Sequence, residues 1–111
     1  MLSTAQTVNG LKVVAAEVNA PNRDALRDLG DMLKARLGSG VVVLASVIDG
    51  KPAYLAMVTP DTKINAGDLV RKVASVAGGG GGGRPDIGQA GGGDPSMMGE
   101  ALQRVPQLVG G

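Results

Sequence analysis

The chain of 111 residues contains no cysteine and no histidine. That removes disulfides, thiolate and imidazole metal sites, cysteine nucleophiles and every serine–histidine catalytic arrangement. Tryptophan and phenylalanine are absent as well, and Tyr54 is the single aromatic residue. Stacking platforms of the kind many single-strand binders use therefore have almost nothing to work with. A surplus of one charge sign is also missing. Eleven lysines and arginines face ten acids, for a net charge of +1. A strong sequence-blind polyanion binder needs a pronounced basic excess. Any contact with nucleic acid must come from a local patch or from backbone donors, reading shape and backbone rather than stacked bases. No apolar run approaches the ~18 residues of a membrane span and no signal peptide is visible, so the expected setting is cytoplasmic, with no membrane partner.

What remains fits one small domain with a core of Val, Leu, Ile, Ala and Met. Residues 1–10 give a weak signal, read as an N-terminal remnant, with Met1 a start introduced upstream of the domain, or as a first edge element. Residues 11–109 form the globular domain. Leu11 to Val18 reads as a strand covered on both faces. Asn22 caps a helix running to about Leu37, with Leu26, Leu29, Leu33 and Leu37 as its apolar stripe. Arg23, Asp24, Arg27, Asp28, Asp31 and Lys34 read as its solvated face. Gly38 and Gly40 stop it.

The run Val41 to Ile48 is the clearest strand. Asp49-Gly50 signals a hairpin, and Lys51 to Thr59 returns, with Pro52 placing that end at a sheet edge. A strand, a helix and a strand imply a right-handed parallel crossover. Asn65 caps a second helix with buried Leu69, Val73 and Val76, ended by Gly78. Asp94-Pro95 reads as the cap and first position of a last helix. Its inward residues are Met98, Leu102 and Val105, Pro106 limits it, and Val109 to Gly111 form a tail. The expected fold is α/β (α+β), a small mixed sheet with about three helices packed on it and a long glycine-rich loop.

That loop is the feature that needs explaining. Of the 19 glycines, 11 lie between Gly78 and Gly99. The stretch Gly78 to Asp94 reads GGGGGGRPDIGQAGGGD. A plain spacer would not need the guanidinium of Arg84, the locked ring of Pro85, the carboxylate of Asp86, the apolar Ile87 and the amide of Gln89. Ile87 can pin the segment to the core and Asp86 can orient Arg84. Glycines permit positive φ and close backbone approach, and successive N–H groups can form an anion-binding nest. A disordered linker and a loop that only packs internally are the other readings. The phosphate-loop pattern G-x-x-x-x-G-K-[S/T] fails here, since Arg84-Pro85 follow the glycines and no hydroxyl is available for magnesium. The dinucleotide pattern G-x-G-x-x-G matches any polyglycine run, and this one follows a helix instead of a strand.

The run Gly79 to Gly92, GGGGGRPDIGQAGG, closely resembles the C-terminal glycine motif of alanyl-tRNA synthetases. The likeness extends through Val8-Asn9-Gly10-Leu11-Lys12-Val13-Val14, through Gly38-Ser39-Gly40-Val41-Val42-Val43, and through Ala101-Leu102 to Val109. Two departures stand out. The family usually carries a longer segment before Lys63-Ile64, and most often alanine where Gly88 stands, a change expected to loosen the loop.

The resemblance implies a domain that binds the outer corner of tRNA(Ala) and bridges the aminoacylation and editing domains of a parent ligase. It implies no active site and no cofactor in this stretch. ATP, magnesium and zinc would belong to the other domains, and a homodimer would form through an upstream helical segment. The candidate contact residues are Gly79, Gly80, Gly81, Gly82, Gly83, Arg84 and Gln89, extended by Lys63, Arg71 and Lys72. Two further readings stay open. One is the oligonucleotide-binding domain of a DHH-family phosphoesterase, whose members typically keep a glycine–histidine motif that this chain lacks. The other is a structural module sealing an interdomain or dimer contact.

Overall fold

The computed structural model describes residues 5–8 and 10–110. Among these described residues six strands form one sheet in the order β1-β2-β3-β4-β6-β5. They are β1 Ala5–Val8, β2 Leu11–Glu17, β3 Val41–Ile48, β4 Lys51–Val58, β5 Gly80–Gly83 and β6 Ile87–Gly91. The helices are α1 Arg23–Leu37, α2 Ala66–Val76, α3 Met98–Gln103 and α4 Val105–Gly110. Two 3-10 turns, Pro60–Thr62 and Pro95–Met97, join them. β2 and β3 run parallel across the α1 crossover, and every other neighbouring pair is antiparallel. The mixed sheet agrees with the sequence reading. The readings of residues 1–4 and of Gly111 lie outside the described residues, whereas 5–8 pair with β2 as an edge strand.

Strand alternation divides the core into two layers. Val41, Val43, Ala45, Tyr54, Ala56 and Val58 face α2, α3 and α4. Val42, Leu44, Ala53, Leu55 and Met57 face α1, whose Leu26 and Leu33 are buried against them. Each fully buried Leu or Val contributes about 1.5–3 kcal/mol, so a core without Phe or Trp suffices. Asn22 accepts a hydrogen bond from Ala25 N at 2.8 Å, and Asn65 accepts one from Asp68 N at 3.0 Å, so both helices start at their sequence caps. Asp49 and Gly50 both take positive φ (53° and 76°), the two-residue turn between β3 and β4.

Five expectations change. β4 is an interior strand between β3 and β6, so Pro52 does not mark an edge. Its missing donor is tolerated because it falls at the end of the ladder: Gly92 N donates to Pro52 O at 3.0 Å and no return bond exists. The C-terminal segment is a 3-10 turn followed by two short helices in place of one. Pro106 starts α4 instead of limiting a helix, because a first-turn residue needs no N–H partner. Val109 belongs to α4 and packs on the core, so it is not a tail residue. Finally, the glycine-rich stretch is no loop. It forms a β-hairpin that extends the sheet beyond β4. Glycine's poor strand propensity hides this in the sequence; the support comes from β4 beside it and α2 above it.

Candidate functional site

The hairpin turn is Arg84-Pro85-Asp86-Ile87, closed by Arg84 N donating to Ile87 O at 2.9 Å. One face of the hairpin is pressed against α2. A Cβ on Gly67 would lie 2.5 Å from Gly83 O, and one on Gly88 would lie 2.8 Å from Gly67 Cα and from Val70 Cγ1. The first turn of α2 is bonded to the hairpin backbone, Ala66 N to Pro85 O at 2.8 Å and Gly67 N to Arg84 O at 3.1 Å. Glycine at 88 thus lets α2 and β6 approach closely.

The opposite face is different. At Gly80 and Gly82 a Cβ would meet nothing within 4 Å, and neither residue has a left-handed φ. Folding does not require glycine at either position. Their missing side chains leave bare backbone open to something outside the domain. Because Arg84 pairs with Ile87 across the turn, the even-numbered residues of β5 carry the ladder bonds, and Gly81 and Gly83 direct their N–H and C=O groups away from β6, those of Gly83 lying against Gly67 of α2. An anion-binding nest is therefore not formed: consecutive N–H groups alternate in direction instead of converging.

Beside this bare face lies a concavity of about 250 Å³ lined by Arg27, Gly82, Gly83, Arg84, Ile87 and Gln89. It brings two guanidiniums and an amide together with no carboxylate in its lining. Asp86 sits 3.8 Å from Arg84 Nε, with both side chains well exposed, at 61% and 70%. So exposed a pair holds weakly, and the guanidinium can turn to another anion. Ile87 packs against the α1-side core, as the pinning role requires.

Arg27 was not among the sequence candidates, nor was Arg23. Arg23 donates from both terminal nitrogens to Ala90 O at 3.3 Å, tying α1 to β6. Their spacing of four residues puts them on one helical face, a signal present in the sequence. What was not visible was the hairpin beside that face.

The other candidates scatter. Gly79 packs against the carbonyls of Gly91 and Gly92, a Cβ there falling 2.7 Å from each oxygen. Arg71 is held by Asp68 at 2.6 Å on the exposed side of α2. Lys72 lines a small hollow with Leu108 and Val109 of α4. Lys63 follows the first 3-10 turn and lines a separate pocket at the hairpin tip. The concavity thus collects Gly82, Gly83, Arg84 and Gln89, with Gly80 and Gly81 on the same strand. Among the described residues no cluster of three or more acids could hold a metal ion. No described helix is long and apolar enough to cross a membrane.

Residues 10–111 match the family model of the DHHA1 domain. The chain is similar to the alanine–tRNA ligase of Roseiflexus sp. (strain RS-1), 49% identical over 98% of this chain. It is likewise 50% identical to that of Roseiflexus castenholzii over 95% of this chain, and 50% identical to that of Desulfosudis oleivorans over 96%. In each case it spans 12% of the relative's length. Among solved structures it is similar to the C-Ala domain from Aquifex aeolicus alanyl-tRNA synthetase. The TM-score there is 0.86 at 31% identity, over 96% of this chain and 98% of that one.

Proposed function

Because the chain belongs to the DHHA1 domain family, in the C-Ala branch carried by alanyl-tRNA synthetases, we propose that it holds the outer corner of tRNA(Ala) and performs no chemistry itself. The observation that carries this reading is the bare glycine face of β5 beside Arg27, Arg84 and Gln89. Side-chain-free backbone lets a sugar–phosphate ridge approach closely. The two guanidiniums meet phosphates, and the Gln89 amide reaches a ribose or base edge. The absence of histidine and cysteine fits a module that leaves catalysis to others.

The longer protein is then an alanine–tRNA ligase of the cytoplasm. Its aminoacylation and editing domains are this domain's partners and the holders of ATP, magnesium and zinc, and its dimer forms through a helical segment outside this stretch. With two or three phosphate contacts, the isolated affinity is expected to be about micromolar or weaker. Tethering to the catalytic domains raises it through an effective concentration of about millimolar.

The test is a gel-shift or filter-binding titration with tRNA(Ala) transcript at low and moderate salt. Arg84→Glu and Arg27→Glu should each weaken binding about tenfold or more, while Arg36→Gln, on the far end of α1, should change little. Equal effects of all three would remove the concavity from the interface. Equal binding of an unstructured oligonucleotide would favour the phosphoesterase-type reading.

A further inference from the structure

A second cavity lies on the other side of the hairpin turn from the arginine-lined concavity. It has a volume of about 380 Å³ and is lined by Val58, Pro60, Lys63, Ile64, Asn65, Pro85 and Asp86. That is near the lower end of the range for small-molecule sites, about 300–1,000 Å³. Its walls are two proline rings and two aliphatic side chains, and its polar groups are one cation, one amide and one carboxylate. We infer that this pocket takes a single unstacked nucleobase of the bound RNA, with Lys63 holding that nucleotide's phosphate at the mouth. The inference rests on the RNA-binding reading above and adds a site to it.

Three observations converge on Lys63. Its φ of 59° is left-handed, a conformation that a long side chain rarely adopts and that persists only when its surroundings impose it. The imposing contacts are present: Lys63 N donates to Pro60 O at 3.3 Å, Thr62 Oγ1 donates to Thr59 O at 2.8 Å, and Ile64 N donates to Thr62 Oγ1 at 3.2 Å. The fold therefore maintains a disfavoured backbone at the residue that brings a positive charge to the pocket. Asp61, the carboxylate of the same turn, accepts from the Ser39 hydroxyl and is not part of the pocket lining.

The remaining polar groups suit a base edge. Asn65 uses Oδ1 to cap α2, so its amide nitrogen stays available as a donor. Asp86 can accept. Continuity with the arginine site identifies the occupant: Pro85 and Asp86 wall the pocket, while Arg84, the preceding residue, lines the concavity. A backbone crossing the turn would meet Arg84 on one side and could drop a base on the other. The one aromatic ring of the chain, Tyr54, is fully buried, so base recognition here needs an enclosing apolar pocket instead of a stacking platform.

The test uses the whole chain with tRNA(Ala) transcripts carrying 2-aminopurine at one unpaired loop position at a time, together with methyl NMR of Val58 and Ile64. The expected result is strong fluorescence change at one position on binding, with ring-current shifts of both methyl groups. Lys63→Gly relieves the backbone strain, so it should fold at least as well as the parent. It should nevertheless lower the slope of log K against log salt by about 1, the mark of one lost phosphate contact. Normal tRNA binding with silent fluorophores and unshifted methyls would overturn the pocket and leave the arginine interface standing. Absence of salt-sensitive tRNA binding would overturn both. Unchanged salt dependence in Lys63→Gly would remove Lys63 from the site.

Discussion

Substituting Gly67 by alanine separates the two jobs that glycine does in this domain. In most helices the change is favourable by up to about 1 kcal/mol. Here the new Cβ would stand 2.5 Å from Gly83 O and 2.8 Å from Gly83 C and N, all backbone atoms with no side-chain freedom to yield. Ordinary contact needs about 3.5 Å, so α2 and the hairpin must part by about 1 Å. That strains the bonds from Ala66 N to Pro85 O (2.8 Å) and from Gly67 N to Arg84 O (3.1 Å). Each is worth about 0.5–1.5 kcal/mol, and overpacking adds about 1–3 kcal/mol. The net loss should be about 2–4 kcal/mol, which in a domain of this size lowers Tm by about 10 °C or more.

Gly80→Ala and Gly82→Ala are the matched controls, because nothing lies within 4 Å of either new Cβ. Their stability should stay within about 0.5 kcal/mol of the parent, yet both should weaken tRNA binding by keeping the RNA ridge off the strand. Urea and thermal unfolding followed by circular dichroism, with binding titrations on the same samples, decide the matter. A Gly67→Ala variant as stable as the parent would refute the packing account. Gly82→Ala with unchanged binding would refute the idea that the open face is a contact surface.

Arg23→Ala removes the two donors that hold Ala90 O, and should cost about 0.5–1.5 kcal/mol in urea unfolding, with faster amide exchange at Gly91 and Gly92. Tyr54→Phe should raise stability by about 1 kcal/mol, because the buried hydroxyl has no hydrogen-bond partner among the described residues. Burial, and then the charge of Glu17, push the Tyr54 phenol above its ordinary value. Its ionisation thus favours the unfolded chain: stability is present below about pH 10 and lost above it, and the phenylalanine variant should show a flatter alkaline limb. Hydrogen bonds from the Ser39 and Thr59 side chains hold the Asp61 carboxyl below its usual range, and Ser96 does the same for Asp94. Their contribution is present above the ordinary carboxylate value and lost as pH falls through the lowered ones. The Asp61→Asn/Asp94→Asn double variant should therefore lose less stability on acidification than the parent, read as urea midpoints across the acid range.

How much of this was legible depends on where the determining contacts lie. Both long helices, the β3–β4 hairpin and the parallel crossover follow from local patterns: caps at Asn22 and Asn65, leucines at helical spacing, and Asp49-Gly50. The β5–β6 hairpin does not. Four consecutive glycines carry no alternation and no β-branched side chain, so nothing local distinguishes a strand from a linker. The hairpin exists because β4 offers an edge to β6, β6 in turn pairs β5, and α2 donates to Arg84 O and Pro85 O. Pro52 misleads for the opposite reason: the strand that makes β4 interior begins 35 residues later, at Ile87, and its ladder stops at Ala53, one residue short of Pro52. Arg84 and Gln89 could be singled out because they interrupt a glycine run. Arg27 could not, because its importance comes from a tertiary neighbour.

The low net charge becomes intelligible once the two faces of the hairpin are compared. A basic surface would attract any polyanion, and with it every competing RNA. This domain instead offers few cations on a shape that admits a ridge of backbone. The helix α2 buries one side of the hairpin so closely that side chains are excluded at Gly67 and Gly88. On the other side Gly80 and Gly82 keep the strand bare without any packing reason. Rigidity on the packed face is what makes bareness on the open face useful, since polyglycine left to itself would lose order and with it the fixed positions of Arg84 and Gln89. On the proposed reading, recognition then depends on how well a folded RNA fits between α1 and the hairpin tip. On the same reading, affinity is supplied mainly by attachment to the rest of a larger protein.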